Sequence, residues 1–209
     1  MSPGATFERV YRELKRMLVE GELPLGTPIE PAIIGKQIAS SITPIRDALH
    51  RLTGERLVEA PNHNGFRVPL PTEAGLRDLY SWNGLVLELV AKRAEMSQHQ
   101  KAVVSPRTDA DIATSTATLF LEIAHSAGSS ELTGVVSSLN DRLAIFRAAE
   151  NSTLRSTAEE FLGLLQIIAS GDRRALTGAL KRYHRRRIVA TADIMVLAAG
   201  LGSSDHRRK

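Results

Sequence analysis

Two prolines in the segment Val68-Pro69-Leu70-Pro71-Thr72 divide this chain into two parts of different character. Proline lacks the amide donor of a strand and restricts the residue before it, so the segment ends any strand that reaches it. Thr72 can then cap a following helix. Helix and strand patterns alternate before this point, and nearly every pattern after it is helical. The sequence therefore predicts two domains, residues 1–71 and residues 72–209.

The first domain shows three helical patterns followed by two short strands. Helices are predicted over Phe7–Glu20, over Glu30–Ser40 and from Ser41 or Thr43 onward, and strands over Leu57–Ala60 and Gly65–Val68. The helices rest on apolar residues at helical spacing and on Pro31, which suits a first helical turn. The two strands are joined through Asn64-Gly65, a dipeptide typical of hairpin turns. Three helices followed by a hairpin predict a winged helix-turn-helix.

The second domain is expected to be an all-α antiparallel helical bundle, which makes the fold class mainly α. A long helix carries Leu76, Leu79, Tyr80 and later leucines, and its short connections favour antiparallel neighbours. Further helices are predicted over residues 109–127, 131–149, 153–170 and 172–200. A weaker break lies at His99–Thr108, and the polar tail Gly202–Lys209 is expected to be disordered.

Composition excludes several classes of protein. The chain has no cysteine, which rules out disulfides and thiolate sites and fits a reducing, cytoplasmic compartment. No secretory signal is expected, because the N-terminal residues are charged and lack an apolar stretch. The longest apolar run, Ile194–Leu201, is 8 residues, whereas a membrane-spanning helix needs roughly 20. Aromatic residues make up only 4%, which argues against a base-stacking RNA platform.

Charge is distributed unevenly along the chain. Residues 1–71 carry a net charge of +1, residues 72–171 carry −4, and residues 172–209 carry +7. A nucleic-acid contact must therefore come from a local patch rather than from the field of the whole chain.

The third helix is the candidate for such a patch. Removal of its apolar stripe leaves Thr43, Arg46, Asp47, His50 and Arg51 exposed. The guanidinium of Arg46 can grip guanine O6 and N7, a contact worth about 1–3 kcal/mol of discrimination. The hydroxyls of Ser41 and Thr43 can reach a DNA phosphate at the helix N-terminus. Asp47 and Arg51 are i,i+4 partners, so Arg51 is either a DNA contact or bound within the helix.

Wing residues and Ser41 complete the DNA-binding prediction. His63 and Arg67 are placed to reach a flanking phosphate or the minor groove, although a solvated role for His63 stays open. The predicted DNA-binding residues are Ser41, Thr43, Arg46, His50, Arg51, His63 and Arg67.

The segments Val10–Leu14, Gly21–Gly26 and above all Ser41–Leu52 resemble the GntR family of bacterial transcription regulators. Asn64–Val68 lies where that family has its wing. The helical remainder resembles the FCD effector domain, with Leu87-Glu88 and Gly171-Asp172 among its landmarks. The resemblance implies a homodimer that binds a pseudo-palindromic double-stranded DNA operator and responds to a small-molecule effector, often a carboxylate.

Two departures from this family stand out. Arg46 and the hydroxyls of Ser41 and Thr43 match its operator-contacting positions, but Ile42 replaces an arginine that the family usually has. Isoleucine cannot bind guanine or phosphate, although it can touch a thymine methyl, so operator preference should differ. The second departure concerns a divalent metal that many members hold with one Asp and three His.

The expected metal ligands are largely missing. Alignment to the family places Thr116, Phe120 and Phe161 where ligands would stand, and leaves only His184. One imidazole cannot hold an ion that needs three or four protein ligands, so no metal and no cofactor are predicted. The family usually has an arginine three residues before the position of Leu87, and this chain has Gly84 there. Phe120 and Phe161 are either plain core or the lining of a dry pocket.

An anionic effector would need another cation. The candidates are Arg142, Arg147, His184 and Arg187. Two interpretations stay open for the basic run after His184, a solvated face or a cation pointing into the bundle. His184 itself is either a satisfied core histidine or part of a pocket.

No pattern indicates an enzyme. The chain has no nucleophile elbow, no Gly-Lys-Ser/Thr phosphate loop and no His-Glu-x-x-His. The interpretation is a DNA-binding regulator, with a repressor role favoured, whose helical domain dimerises and binds an apolar or weakly anionic effector. The alternative is a winged-helix protein that has become a dimerising interaction module with little specific DNA affinity.

Overall fold

A computed structural model describes residues 3–61, 65–94 and 112–204. The predicted hairpin turn at 62–64 and the predicted break at His99–Thr108 lie outside the described residues. Contacts divide the chain into two compact units, Met1–Pro71 together with the chain from Ala198 onward, and Thr72–Leu197. Within the described part, no helix is both long enough and apolar enough to cross a membrane.

In its described residues up to Pro71, the first unit contains three helices and two short strands. Its elements in chain order are α1 (Pro3–Val19), β1 (Pro28–Ile29), α2 (Pro31–Gln37), α3 (Ile42–Gly54) and β2 (Phe66–Arg67). Both α1 and α2 pack against α3. Their apolar stripes meet in one core that includes Val10, Leu14, Ile34, Leu49 and Phe66. Helical periodicity in the sequence therefore corresponds to buried faces in the fold.

The wing differs from the predicted hairpin. Strand β2 pairs with β1 in antiparallel register, Ile29 opposite Phe66, and β1 was not expected from the sequence. The predicted strand Leu57–Ala60 is reduced to a single bridge between Glu59 and Arg67. Its first residue is unavailable for pairing, because the amide of Leu57 donates to the carbonyl of Leu52 at the end of α3.

Within the described residues, six helices follow Thr72, and the second unit contains the first five and the part of the sixth before Ala198. They are α4 (Glu73–Arg93), α5 (Ile112–Ser126), α6 (Ser130–Thr153), α7 (Thr157–Ser170), α8 (Arg173–Val189) and α9 (Thr191–Ser204). Helix α4 lies against α5, α6 and α8, while α7 packs against α5 and α8. Side chains cap the N-termini of two of these helices. Thr72 accepts a hydrogen bond from the amide of Gly75 at the start of α4, and Asp172 accepts from the amides of Arg174 and Ala175 at the start of α8.

Two predictions for the C-terminal region were wrong. The single helix expected over residues 172–200 breaks at Ala190, whose amide is shared between the carbonyls of Arg186 and Arg187. Thr191 then begins α9, and its buried hydroxyl donates to the carbonyl of Ile188, which competes with the helical bonding pattern. Gly202–Ser204, expected in a disordered tail, continues α9.

Candidate functional site

The α2–turn–α3 pair holds a helix with one buried and one exposed face. Ser41 is the N-cap of α3, and Pro44 lies in its first turn. The buried face consists of Ile45, Ala48, Leu49 and Leu52. This alternation follows the helical period, so the residues between these positions point outward.

The turn between α2 and α3 is tight and is held from α1. A Cβ on Gly35 would lie 2.8 Å from the carbonyl oxygen of Ser40, so only glycine allows this approach. Ala39 adopts a left-handed conformation with φ of 50°. The guanidinium of Arg9 donates to the carbonyls of Ile38 and Ala39. The orientation of α3 is therefore set by backbone contacts as well as by the core.

The exposed face of α3 carries the predicted contact residues. Ser41, Thr43, Arg46, Asp47 and His50 are all exposed. The Ser41 hydroxyl makes no capping hydrogen bond. No ion pair or side-chain hydrogen bond of Arg46 is formed within the described ranges. A guanidinium that is exposed and unpaired on the first turns of such a helix is available to a base edge or a phosphate.

Ile42 interrupts this polar face with an apolar side chain. It is 50% exposed at the start of α3. An exposed isoleucine offers van der Waals contact but no hydrogen bond, which suits a thymine methyl better than a guanine.

Arg51 is held by partners other than the one expected. Its guanidinium lies 3.9 Å from the ring centroid of Tyr11 and donates to Glu8 at 3.1 Å. Its Nε is 3.5 Å from Glu55, which also accepts from Tyr11 and Lys15. The predicted pairing with Asp47 is therefore wrong, because α1 brings aromatic and acidic groups to Arg51 from the opposite side.

The wing and His50 occupy a second part of this surface. His50 packs edge-on against the ring of Phe66, with ring centroids 5.0 Å apart. Arg67 is exposed, and its backbone pairs with Glu59 on one side and Pro28 on the other. Its side chain therefore projects from a fixed strand. His63 lies outside the described residues.

A buried polar network lies in the core of the helical unit. The carboxylate of Glu150 accepts from the hydroxyl of Tyr80 at 2.7 Å and from Nε of Arg187 at 2.8 Å. The hydroxyl of Tyr183 is 3.4 Å from the same carboxylate. Burial and the nearby Glu150 charge raise the pKa of Tyr183 to about 12 and raise that of Tyr80 well above its ordinary value, so both ring hydroxyls stay protonated as donors.

Arg187 is part of this network and not of a solvated basic face. It is 2% exposed, and its Nη1 lies 2.7 Å from Glu160. Its guanidinium also stacks 3.3 Å from the ring centroid of Tyr183. Burial alone would lower the pKa of Arg187, but Tyr183 and the two carboxylates raise it overall. Arg187 is therefore already neutralised, while Arg185 on the same helix is exposed.

His184 is a satisfied neutral core histidine. Its Nδ1 is 2.8 Å from the carbonyl oxygen of Leu180 and its Nε2 is 3.0 Å from the amide nitrogen of Asn83. Nδ1 therefore donates its proton to the carbonyl, and Nε2 accepts from the amide. Burial, together with the charges of Arg147 and Arg187, lowers the pKa of His184 to about 3. Gly84 makes room, since a Cβ there would lie 3.1 Å from the ring.

The residues around His184 do not fit the metal that the resembling family often holds. Both imidazole nitrogens are already engaged, and the positions aligned with the family's other ligands are Thr116, Phe120 and Phe161, all buried. No group of three or more His, Asp or Glu side chains placed to hold an ion occurs among the residues the structure covers. Hydroxyl and phenyl groups cannot replace imidazole and carboxylate ligands.

Arg147 is the unusual residue of this core. It is 1% exposed, its Nη1 donates to Oδ1 of Asn140 at 2.8 Å, and its Nε and Nη2 have no hydrogen-bond partner. Its guanidinium carbon lies 5.4 Å from the ring centroid of Phe120. Arg142, the other candidate on α6, is only partly buried and lies about 140° around the helix from Arg147. The structure does not bring these two arginines together.

The hydrogen-bonding partners of His184, Arg147 and Arg187 were missed from the sequence. Asn83, Asn140 and Glu150 are buried polar residues that hold His184, Arg147 and Arg187. One signal could have found two of them. Asn140, Leu143, Arg147 and Glu150 follow one another on α6 at spacings of three and four, which places Asn140 and Glu150 on the same helix face as the buried Leu143.

Comparisons with known proteins agree with the N-terminal assignment. Residues 6–68 match the model of the bacterial regulatory proteins of the gntR family. The chain is 31% identical over 70 residues to the HTH-type transcriptional repressor GlaR of Escherichia coli (strain K12), covering 34% of this chain and 32% of that protein. It is 29% identical over 85 residues to a probable D-xylose utilization operon transcriptional repressor of Paenarthrobacter nicotinovorans, covering 41% and 38%.

Solved structures share the fold of the whole chain. A GntR transcriptional regulator from Rhodococcus sp. RHA1 has a TM-score of 0.73 at 18% identity, covering 91% of this chain and 98% of that one. McbR/YncC of E. coli has a TM-score of 0.69 at 17% identity, covering 90% and 97%. The chain matches only about a third to two fifths of the length of the curated relatives. It is mainly α, with a GntR-type helix-turn-helix domain at its N-terminus and helices after it.

Proposed function

We propose that this protein is a transcription regulator, acting as a repressor, that binds a pseudo-palindromic operator as a homodimer in the bacterial cytoplasm. Effector binding in its helical unit would modulate the affinity for DNA. The observation that carries the proposal is the exposed, unpaired Arg46 beside Ser41 and Thr43 on α3 of a GntR-type domain. The names of the matched relatives, two of them repressors, support the regulatory role.

The contacts sort into two kinds. Arg46, in the first turns of α3, is assigned to base edges, while Ser41, Thr43 and Arg67 are assigned to phosphate. His50 and Arg51 are held against Phe66 and Tyr11, and we assign them to shaping this surface rather than to direct readout. Arg46 should therefore control specificity, and the other residues should control affinity.

Fluorescence anisotropy tests this proposal. Arg46→Ala should abolish the preference for the protein's own upstream DNA over a scrambled duplex, because a bidentate guanine contact is worth about 1–3 kcal/mol per half-site. Weak binding to both duplexes should remain, with a log–log salt slope of about −0.9 per neutralised phosphate. The measurement is a titration of both duplexes across a salt series.

Arg12→Ala is the matched control. Arg12 is exposed on α1, so its substitution removes the same charge from the same unit without altering α3. Retained preference in the control is expected. If the Arg46 variant also keeps its preference, the recognition-helix assignment is wrong. Absence of any salt-dependent DNA binding by the wild-type protein would favour the alternative, a dimerising interaction module.

A further inference from the structure

We propose that an open cavity between α4 and α8 binds a phosphate dianion, either free or as the ester of a small molecule. The cavity has a volume of about 490 Å³ and lies within the second unit. Sites for small molecules usually measure about 300–1,000 Å³. This inference goes beyond the proposed function, because it concerns a surface of the helical unit and does not depend on DNA binding. The lining residues are Lys92 from α4 and, from α8, Arg173, Arg174, Thr177, Gly178 and Lys181.

Helical spacing gathers the cations on one side of α8. Arg173, Thr177 and Lys181 follow one another at intervals of four residues, and Arg174 lies in the row beside them. Lys92 belongs to the last turn of α4, which packs against α8. Four basic side chains therefore line a single cavity, with their apolar stems along its wall.

Three of these four cations have no charged partner among the residues the structure describes. Lys181 lies 3.4 Å from Glu88. The side chains of Lys92, Arg173 and Arg174 form neither an ion pair nor a hydrogen bond in the described ranges. Like charges around one cavity repel one another, and an anion bound between them replaces this repulsion by attraction.

The carboxylate of Asp172 does not neutralise the cavity. Its Oδ1 accepts from the amides of Arg174 and Ala175 at the start of α8. These amides are therefore already bonded, so the basic side chains and not the helix terminus carry the site. Asp172 offsets at most one of the three unpaired positive charges, which leaves two. A phosphate monoester carries a charge of about −1.5 to −2 at pH 7 and matches them better than a carboxylate monoanion does.

The types of residue also suit phosphate. A guanidinium donates two parallel hydrogen bonds to phosphate oxygens, and a lysine ammonium adds a point charge. Gly178 keeps the space between these groups open, since the nearest described atom to a Cβ there would be Nη1 of Arg182, at 3.4 Å. The volume of the cavity exceeds that of a phosphate group, so room remains for the body of an ester.

Phosphorus NMR on the full chain tests the site. Inorganic phosphate and glycerol phosphate are the probes, and chloride holds the ionic strength constant. Binding speeds the transverse relaxation of the phosphorus signal, and a titration of this effect gives the affinity. We expect both probes to bind, more weakly as chloride is raised, and we expect equimolar acetate to leave the signal unchanged. Tighter binding of glycerol phosphate would identify an ester as the ligand, and equal affinities would identify free phosphate.

Two variants assign the binding to this cavity. Arg174→Gln should weaken the affinity by about tenfold, because charge-assisted hydrogen bonds are lost. Gly178→Met should weaken it as well, since its side chain would fill the cavity without changing the charge. A helix interior favours methionine over glycine, so the Tm of this variant should equal or exceed that of the wild-type protein.

Arg155→Gln is the matched control. Arg155 is exposed, and its carbonyl accepts from Arg186, which lies twelve residues beyond Arg174 on α8 and therefore about 18 Å away. The control removes the same charge from the same unit and should leave the affinity unchanged.

Three results would overturn the inference. These are no relaxation effect with either probe, displacement of phosphate by equimolar acetate, and an affinity in Arg174→Gln equal to that of the wild-type protein. A fourth result would reassign the cavity to DNA. If Arg174→Gln lowers the salt slope of DNA binding while neither phosphate probe binds the free protein, the cavity is a DNA contact and the inference is wrong.

Discussion

The behaviour of individual charged residues depends on what the fold places around them. Four arginines on helices illustrate this. Arg46 is exposed, and the guanidinium of Arg51 lies over the ring of Tyr11. Arg147 is buried with two N–H groups that have no partner, and Arg187 is neutralised by carboxylates. Water screens the charge of the exposed Arg46 but does not reach the buried guanidinium groups of Arg147 and Arg187. Of these four arginines, Arg46 is therefore the one that is both exposed and without a charged partner in the described residues.

His184 should make the stability of the protein depend on pH. Its folded pKa of about 3 lies below the ordinary value of 6.5. The unfolded chain binds a proton below 6.5 while the folded chain resists it, so the stability is fully present above 6.5 and is lost as the pH falls through this window. The loss should approach about 1.4 kcal/mol per pH unit.

Urea unfolding at a series of pH values measures this effect. His184→Gln should flatten the dependence of the free energy of unfolding on pH, because the group that titrates differently is gone. His125→Gln is the control, since His125 is exposed on α5 and its removal leaves the contacts of Asn83 and Leu180 intact. An unchanged slope in the His184 variant would contradict the assignment.

At the level of secondary elements, the crossing of α2 and α3 decides how the recognition helix is presented. The predicted helices are present, because their apolar periodicity is strong. Their angle depends on Gly35, Ala39 and Arg9, whose contacts link three elements. Strand β1 was missed because two residues, Pro28 and Ile29, carry no periodic signal.

Gly35→Ala should destabilise the first unit and weaken DNA binding together. The added Cβ would lie 2.8 Å from the Ser40 carbonyl, a backbone atom that cannot yield cheaply, so a loss of about 1–3 kcal/mol is expected. Chemical denaturation and DNA anisotropy on the same variant measure the two effects.

Gly54→Ala is the comparison within the same motif. Nothing lies within 4 Å of a Cβ at this last residue of α3, so the change should be neutral or stabilise by up to about 1 kcal/mol. If both glycine variants behave alike, the close approach of Gly35 is not what sets the turn.

For the molecule as a whole, α4 carries an apolar row that its own unit does not cover. Trp82, Leu85 and Leu89 are 50%, 60% and 45% exposed and follow one helix face at spacings of three and four. Single exposed apolar residues are ordinary, whereas a contiguous row marks an interface. If the protein binds a pseudo-palindromic operator as a dimer, as proposed above, we expect this row to contact the second copy.

Leu85→Glu should convert a dimer to a monomer. A buried, unpaired carboxylate at the centre of a symmetric interface is introduced twice, which weakens association strongly. Light scattering after size exclusion should change from twice the 22.8 kDa chain mass to the chain mass, and operator affinity should fall. Leu162→Glu on α7, 47% exposed, is the control. A monomeric wild-type protein would overturn the assignment.

Local pattern was enough to place the helices, their buried stripes and the exposed Arg46, because these depend on neighbours three and four residues away. The same local information also placed the cap at Thr72. It also predicted Arg147, His184 and Arg187 as effector-binding candidates, but it did not show which of them already have partners within the protein.

Tertiary structure alone decided those pairings. Tyr80 meets Glu150 from 70 positions away, and Asn83 meets His184 from 101 positions away. Such contacts depend on how helices pack, and a single sequence carries no periodic signal for them. The break between α8 and α9, the pairing of β1 with β2 and the incompletely bonded Arg147 have the same origin. In the helix break and the strand pairing, hydrogen bonds between distant or competing groups outweigh the local preference, whereas the bonding of Arg147 is set by the helices that pack around it.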